Sequence, residues 1–203
     1  MAGGSIVRNP IDIWYDFVDP ASVLLMLEIK AARRDREAWV LDSCIKWRAL
    51  EVRPPPSPLV SLNDPEVSSL WESAIPIAQR IGVTLNPPRL VPWTRKAHEL
   101  IAHAEEERRE SAHSLRLAVA QAYAIEGWDI GRVDVLVKIA TDHGWNRTEC
   151  KAILDVDRYE AVVKGSAQEA KAASVTRPTT IVNGVTRLEG FPNRTALGTV
   201  LGT

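Results

Sequence analysis

At 203 residues the chain can bury a core without disulfide or metal staples, and its length points to one domain, or one domain carrying a subdomain. With 45% apolar and 25% charged residues and a formal net charge of -1 of interspersed sign, it has the balance of a globular protein and no global basic field for nucleic acid or an anionic membrane. No apolar run approaches the ~20 residues that span a bilayer, residues 1–10 hold no apolar signal core, and Cys44 and Cys150 match no redox or metal spacing, so a cytoplasmic protein with two reduced thiols is expected.

Residues 11–18 read as a strand, with Ile11, Ile13, Tyr15 and Phe17 alternating against Asp12, Trp14 and Asp16. Asp19-Pro20 then pairs a preferred N-cap with the residue suited to the first helical position. A helix is predicted from Pro20 to about Trp39, apolar in its first half (Val23, Leu24, Leu25, Met26, Leu27, Ile29) and charged in its second. A second strand is predicted at 45–52, which completes a βαβ unit expected to be parallel and right-handed. Pro54, Pro55, Pro56 and Pro58 end regular structure there.

The middle of the chain is helical in pattern. A helix starting at Asn63 or Asp64 should run through Arg80, followed by a loop over 82–93. Helical spacing resumes from Thr94 to Ala124, with the charge run Glu105–Glu110 as a solvated face. Shorter helices are predicted at Asp134–His143, Arg147–Asp155 and Tyr159–Ala173. Near the C-terminus, Asn183-Gly184 between two β-branched runs, 179–182 and 185–189, is the preferred type I′ hairpin signal. A short helix at Ala196–Leu201 closes the sequence.

The order βαβ, helical block, ββα packs most economically as an α/β fold with a four-stranded mixed sheet. Four stretches spanning nearly the whole chain carry a family resemblance: Tyr15-Asp16-Phe17-Val18-Asp19-Pro20-Ala21-Ser22, Pro92-Trp93-Thr94-Arg95-Lys96-Ala97-His98, Glu126-Gly127-Trp128-Asp129-Ile130 and Ser174-Val175-Thr176-Arg177-Pro178-Thr179. In these the sequence resembles the DsbA-like thioredoxin-fold family, in particular its FrnE-type cytosolic branch. The resemblance implies a thioredoxin-like domain, residues 1–62 and 172–203, interrupted by a helical subdomain at 63–171. It also implies a cis proline at Pro178. The family's Cys-Pro-x-Cys is replaced by Asp19-Pro20-Ala21-Ser22, and a carboxylate and a hydroxyl cannot exchange disulfides.

The same segment resembles the kappa-type glutathione transferases and 2-hydroxychromene-2-carboxylate isomerases, which carry Ser-Pro-x-Ser on this scaffold. That resemblance makes glutathione the candidate cofactor. Asp19 and Ser22 are the candidate catalytic positions, and Arg177, Pro178, Thr179, Trp93 and His98 the candidate substrate contacts. As an N-cap, Asp19 should be held anionic by the helix dipole, which makes it a weak base and repels a thiolate. Arg177 either pairs with it across the cleft or is a surface arginine flanking an extended pre-proline segment. The histidines 98, 103, 113 and 143 lack cysteine or carboxylate company at diagnostic spacing, so no metal site is predicted.

Three functions remain open on these residues. One is a redox-inactive binder of a small molecule or peptide, a second a glutathione-dependent isomerase or transferase, and a third an atypical thiol oxidoreductase using Cys44 or Cys150. The expected partners are a small molecule or peptide, with a homodimer as a further candidate and no nucleic acid or membrane.

Overall fold

The structure is a computed structural model that describes residues 10–34 and 44–191. The second half of the first predicted helix and the helix at 196–201 therefore lie largely or wholly outside the described residues. Strand β1 (Ile11–Tyr15) leads into helix α1 (Pro20–Arg34), and strand β2 (Ile45–Ala49) returns parallel to β1, with Ile11 opposite Ile45 and Tyr15 opposite Ala49. Strands β5 (Thr179–Val182) and β6 (Thr186–Glu189) form the predicted hairpin, and β5 runs antiparallel to β1. The sheet order is β2-β1-β5-β6, a mixed four-stranded sheet of the thioredoxin-like class. At the turn Asn183 and Gly184 both take positive φ, 54° and 70°, as a type I′ turn requires.

Both predicted strands of the βαβ unit end early, at Tyr15 and Ala49. After Tyr15 the chain turns inward, so Asp16, Phe17 and Val18 are all buried. Helix α1 buries Val23, Leu24, Leu25, Met26, Leu27 and Ile29. At about 2 kcal/mol per fully buried apolar side chain, this helix is a main source of core stability.

Helix α2 (Pro65–Arg80) starts where Asp64 accepts hydrogen bonds from the backbone N–H of Glu66 and Val67, with Pro65 in the first turn. It presents Val67, Trp71, Ala74 and Ala78 to the core. A short ribbon unpredicted by periodicity, β3 (Val60–Ser61) with β4 (Leu90–Val91), ties the proline-rich segment to the loop before the next helix. The predicted helix Thr94–Ala124 is two: α3 (Arg95–Glu107) and α4 (Arg109–Ala124), separated at Arg108, whose φ of -148° is not helical. The break falls within the exposed charge run, where no apolar stripe holds one straight helix. Helices α5 (Val133–Asp142), α6 (Arg147–Asp155) and α7 (Glu160–Ala172) complete the block between β2 and β5, close to their predicted bounds. Among the described residues no helix is long and apolar enough to cross a membrane.

Candidate functional site

The C-terminal end of β1 and the N-terminus of α1 form a hydrogen-bonded knot. The Ser22 N–H donates to Asp19 Oδ1 at 2.8 Å, the capping bond of α1, and the Asp19 carbonyl accepts from Val23 N–H at 3.2 Å. Ser22 Oγ in turn accepts from the Asp16 N–H at 3.2 Å. Ser22 is buried and Asp19 half-buried. Burial outweighs the capping bonds and pushes the Asp19 carboxyl up to about 6. This corrects the expectation of a firmly anionic Asp19: its desolvation is larger than the help it receives from the helix terminus.

Asp16, taken from sequence as an outward polar residue of β1, is fully buried and central. Its Oδ2 accepts from the Val52 N–H at 2.8 Å, and its Oδ1 lies 3.3 Å from His98 Nε2. His98 comes from α3 and packs against Tyr15 and Phe17, with ring centroids 5.1 and 5.0 Å away. Its Nδ1 is buried with no hydrogen-bond partner. Glu51 feels the charges of both His98 and Asp16. Burial pushes its carboxyl pKa up, and its Oε1 is a buried oxygen without a hydrogen bond. Asp16, Asp19, Ser22, Glu51 and His98 thus gather from the turn between β1 and α1, the first turn of α1, the segment after β2 and α3. Sequence reasoning missed Asp16 and Glu51. The one available signal was Asp16 itself, a charge set between Tyr15 and Phe17.

His98 and Tyr15 also line a cavity of about 230 Å³ between β2, α3 and α7, walled by Trp47, Arg48, Ile101 and Ser166 among others. A second cavity of about 390 Å³ continues along β2, sharing Lys46, Trp47 and Glu105 and adding Arg109, His113 and Arg116. The guanidinium of Arg116 is buried over the rings of Tyr15 and Trp47, donates to the Tyr15 hydroxyl at 3.2 Å and pairs with Glu105. Neither cavity is lined by Asp19 or Ser22.

The antiparallel register of β5, with Thr179 opposite Trp14, brings Pro178 and Thr179 to the same end of the sheet as Asp16. Both are buried; the Pro178 carbonyl accepts from Gly190 N–H at 2.9 Å, and Thr179 Oγ1 donates to the Arg177 carbonyl at 2.8 Å. One open alternative closes here and one expectation fails. Arg177 does not pair with Asp19: its side chain is 70% exposed and faces Glu189 at 3.9 Å, because solvent and a neighbouring strand carboxylate solvate it better than a half-buried cleft. The peptide bond before Pro178 is trans, and the cis bond among the described residues joins Pro55 and Pro56. Trp93 is 40% exposed and donates its Nε1–H to the Ser57 carbonyl at 2.9 Å, so it braces the proline-rich segment. The adjoining Pro92 is held by a close approach: a Cβ on Gly131 would meet Pro92 Cβ at 2.7 Å.

Neither cysteine is disulfide-bonded. Cys44 precedes the first residue of β2, at the end of the sheet opposite Asp16, so the length of β2, about 13 Å at ~3.3 Å per residue, separates it from the knot. Cys150 is buried in α6, and burial pushes its thiol pKa up, away from reactivity.

The model of the DSBA-like thioredoxin domain matches residues 10–199. The uncharacterized protein YwbO of Bacillus subtilis is 29% identical over 185 residues, with 89% of each chain covered. Among solved structures, the probable DsbA oxidoreductase SCO1869 of Streptomyces coelicolor superposes with a TM-score of 0.74 at 18% identity, over 96% of this chain and 91% of that one. A 2-hydroxychromene-2-carboxylate isomerase gives 0.74 at 16% identity, over 95% and 94%. The cytosolic disulfide reductase DsbM of Pseudomonas aeruginosa, solved with GSH, gives 0.65 at 12% identity, over 96% and 100%. At these identities the structural likenesses bear on fold alone.

Proposed function

This chain belongs to the family of DSBA-like thioredoxin domains, and we propose that it works without dithiol chemistry, binding a small molecule or peptide at the end of the sheet where Asp16, Asp19, Ser22 and His98 meet. The carrying observation is that the residues standing for the family's thiols, Asp19 and Ser22, are bonded to each other and to Asp16. A disulfide exchange needs an attacking thiolate and a second thiol to resolve the mixed disulfide, and neither Cys44 nor Cys150 is placed for that. The unpartnered His98 Nδ1 and Glu51 Oε1 are polar atoms a ligand can satisfy. Insulin reduction in the presence of dithiothreitol tests this reading. Turnover by the protein above the uncatalysed rate would overturn it.

One observation favours a second reading, a glutathione-dependent isomerase or transferase. With its pKa near 6, Asp19 holds a proton in about a tenth of molecules at neutral pH. In that form it donates a hydrogen bond to a thiolate instead of repelling it. The likenesses to an isomerase and to a reductase solved with GSH agree with this direction. Titration with reduced glutathione, followed by tryptophan emission, separates the two: saturation below millimolar concentration supports the second reading, and a flat response removes it. A cytoplasmic location fits both readings, since each needs a reduced thiol pool or none.

A further inference from the structure

We propose that His103, Glu107 and Glu149 form a binding site for a divalent transition-metal cation of the Zn²⁺ type, where α3 meets α6 and apart from the knot at Asp19. His103 and Glu107 are four residues apart, one above the other on α3. Glu149 reaches them from the first turn of α6. One ligand atom from each of the three lies within 4.8 Å of the others. His103 is 2% exposed, while both carboxylates are exposed.

The imidazole is set for ligation by its other nitrogen. His103 Nδ1 lies 3.4 Å from the Tyr159 hydroxyl, whose oxygen can accept from an Nδ1–H. In that tautomer Nε2 carries the lone pair. Nε2 is buried with no hydrogen-bond partner and lies 3.8 Å from Glu149 Oε1. A hydrogen-bond acceptor on the far nitrogen is how metal-ligating histidines are oriented, and here the Tyr159 hydroxyl stands in that place. A neutral imidazole and two carboxylates form a donor set suited to Zn²⁺, leaving open positions for water.

Ring packing holds the histidine in place, with Trp145 and Tyr159 each 5.8 Å away. Arg108 is engaged by the Trp145 segment: its guanidinium stacks 3.9 Å over Trp145 and donates to the Gly144 carbonyl. Tetrahedral ligands at Zn²⁺ bond lengths stand about 3.3 Å apart. Closing from 4.8 Å therefore asks only for rotamer changes of the two exposed glutamates. The sequence did not reveal the trio because Glu149 is far from His103 along the chain.

The test uses the full chain after chelator treatment, titrated with Zn²⁺ in calorimetry and with Co²⁺ in tryptophan emission. The expected result is one saturable site, with Co²⁺ quenching part of the emission because Trp145 adjoins His103. Glu149→Gln and Glu107→Gln, both surface changes that leave the metal-free unfolding midpoint near that of the parent, should each weaken Zn²⁺ affinity at least about tenfold and abolish the quenching. His103→Gln should do the same, and if it folds poorly the two glutamate variants still decide. Absence of a saturable site would overturn the proposal, leaving His103 and Glu149 as a plain side-chain pair. Binding that persists unchanged in both glutamate variants would overturn it as well, and would assign the ion to other groups.

Discussion

Replacing Asp19 with Asn tests how the knot at α1 is balanced. Burial lifts the Asp19 carboxyl from 3.8 to about 6. The native state therefore holds a proton between about pH 4 and pH 6 that the unfolded chain has released. Stability falls as pH rises through that window, and the whole cost is present above pH 6. Two pH units correspond to about 3 kcal/mol as a ceiling, and because Asp19 is only half-buried, solvent screening brings the expected cost to about 2 kcal/mol. Asn keeps an oxygen for the Ser22 N–H and caps a helix as well as Asp. Asp19→Asn should therefore gain about 2 kcal/mol at pH 7.5, a rise in melting temperature of roughly 4–8 °C for a chain of this size. At pH 4 the difference should shrink toward zero. Burial also raises Glu51 and Glu99, but they titrate alike in both proteins and cancel in the comparison. Urea unfolding at the two pH values measures this. A variant less stable than the parent at pH 7.5 would refute the reasoning, because the helix terminus would then outweigh desolvation.

Other perturbations separate the buried core of the site from its surface. Asp16→Ala strands the Val52 N–H and the His98 ring in a dry environment, and should cost about 3 kcal/mol in urea unfolding; a loss below 1 kcal/mol, in the range of surface changes, would mean that water already reaches the pair. Arg177→Ala should change stability by less than about 0.5 kcal/mol, since the side chain is mostly exposed; a larger loss would revive its pairing with the cleft. Gly184→Ala places a Cβ at φ 70° in the hairpin turn, and should cost about 1 kcal/mol in thermal unfolding although nothing lies within 4 Å of the new atom. No loss there would show that the turn relaxes freely.

The sheet was legible because its signals are local. The Asp-Pro helix start, the alternation in β1 and β2 and the Asn-Gly turn each act over a few residues, and β1 and the hairpin then pair with Ile11 opposite Val182, which buries both together with Ile13. The break at Arg108 was not legible: Glu105–Glu110 has good helix formers, and a charge run without an apolar stripe reads equally as the solvated face of one helix, so the non-helical φ of Arg108 shows only in the fold. At the site, Asp19 and Ser22 were found from their position at the helix start, whereas Asp16 and Glu51 were missed because their meaning is tertiary. Asp16 turns inward only because β1 stops one residue earlier. Glu51 becomes a site residue only when His98 arrives from α3. The charge state of Asp19 was misjudged for a related reason, since a sequence shows the helix terminus and hides the desolvation.

The central claim, that the α1 terminus has lost its thiols without losing their place, is tested most directly by restoring them. Insulin reduction is measured for the parent and for the double variant Asp19→Cys with Ser22→Cys. The parent should show no turnover above the dithiothreitol blank, and the variant should gain it, since a thiol at a helix N-terminus is activated as a thiolate. Turnover in the parent that Cys44→Ser or Cys150→Ser abolishes would contradict the account.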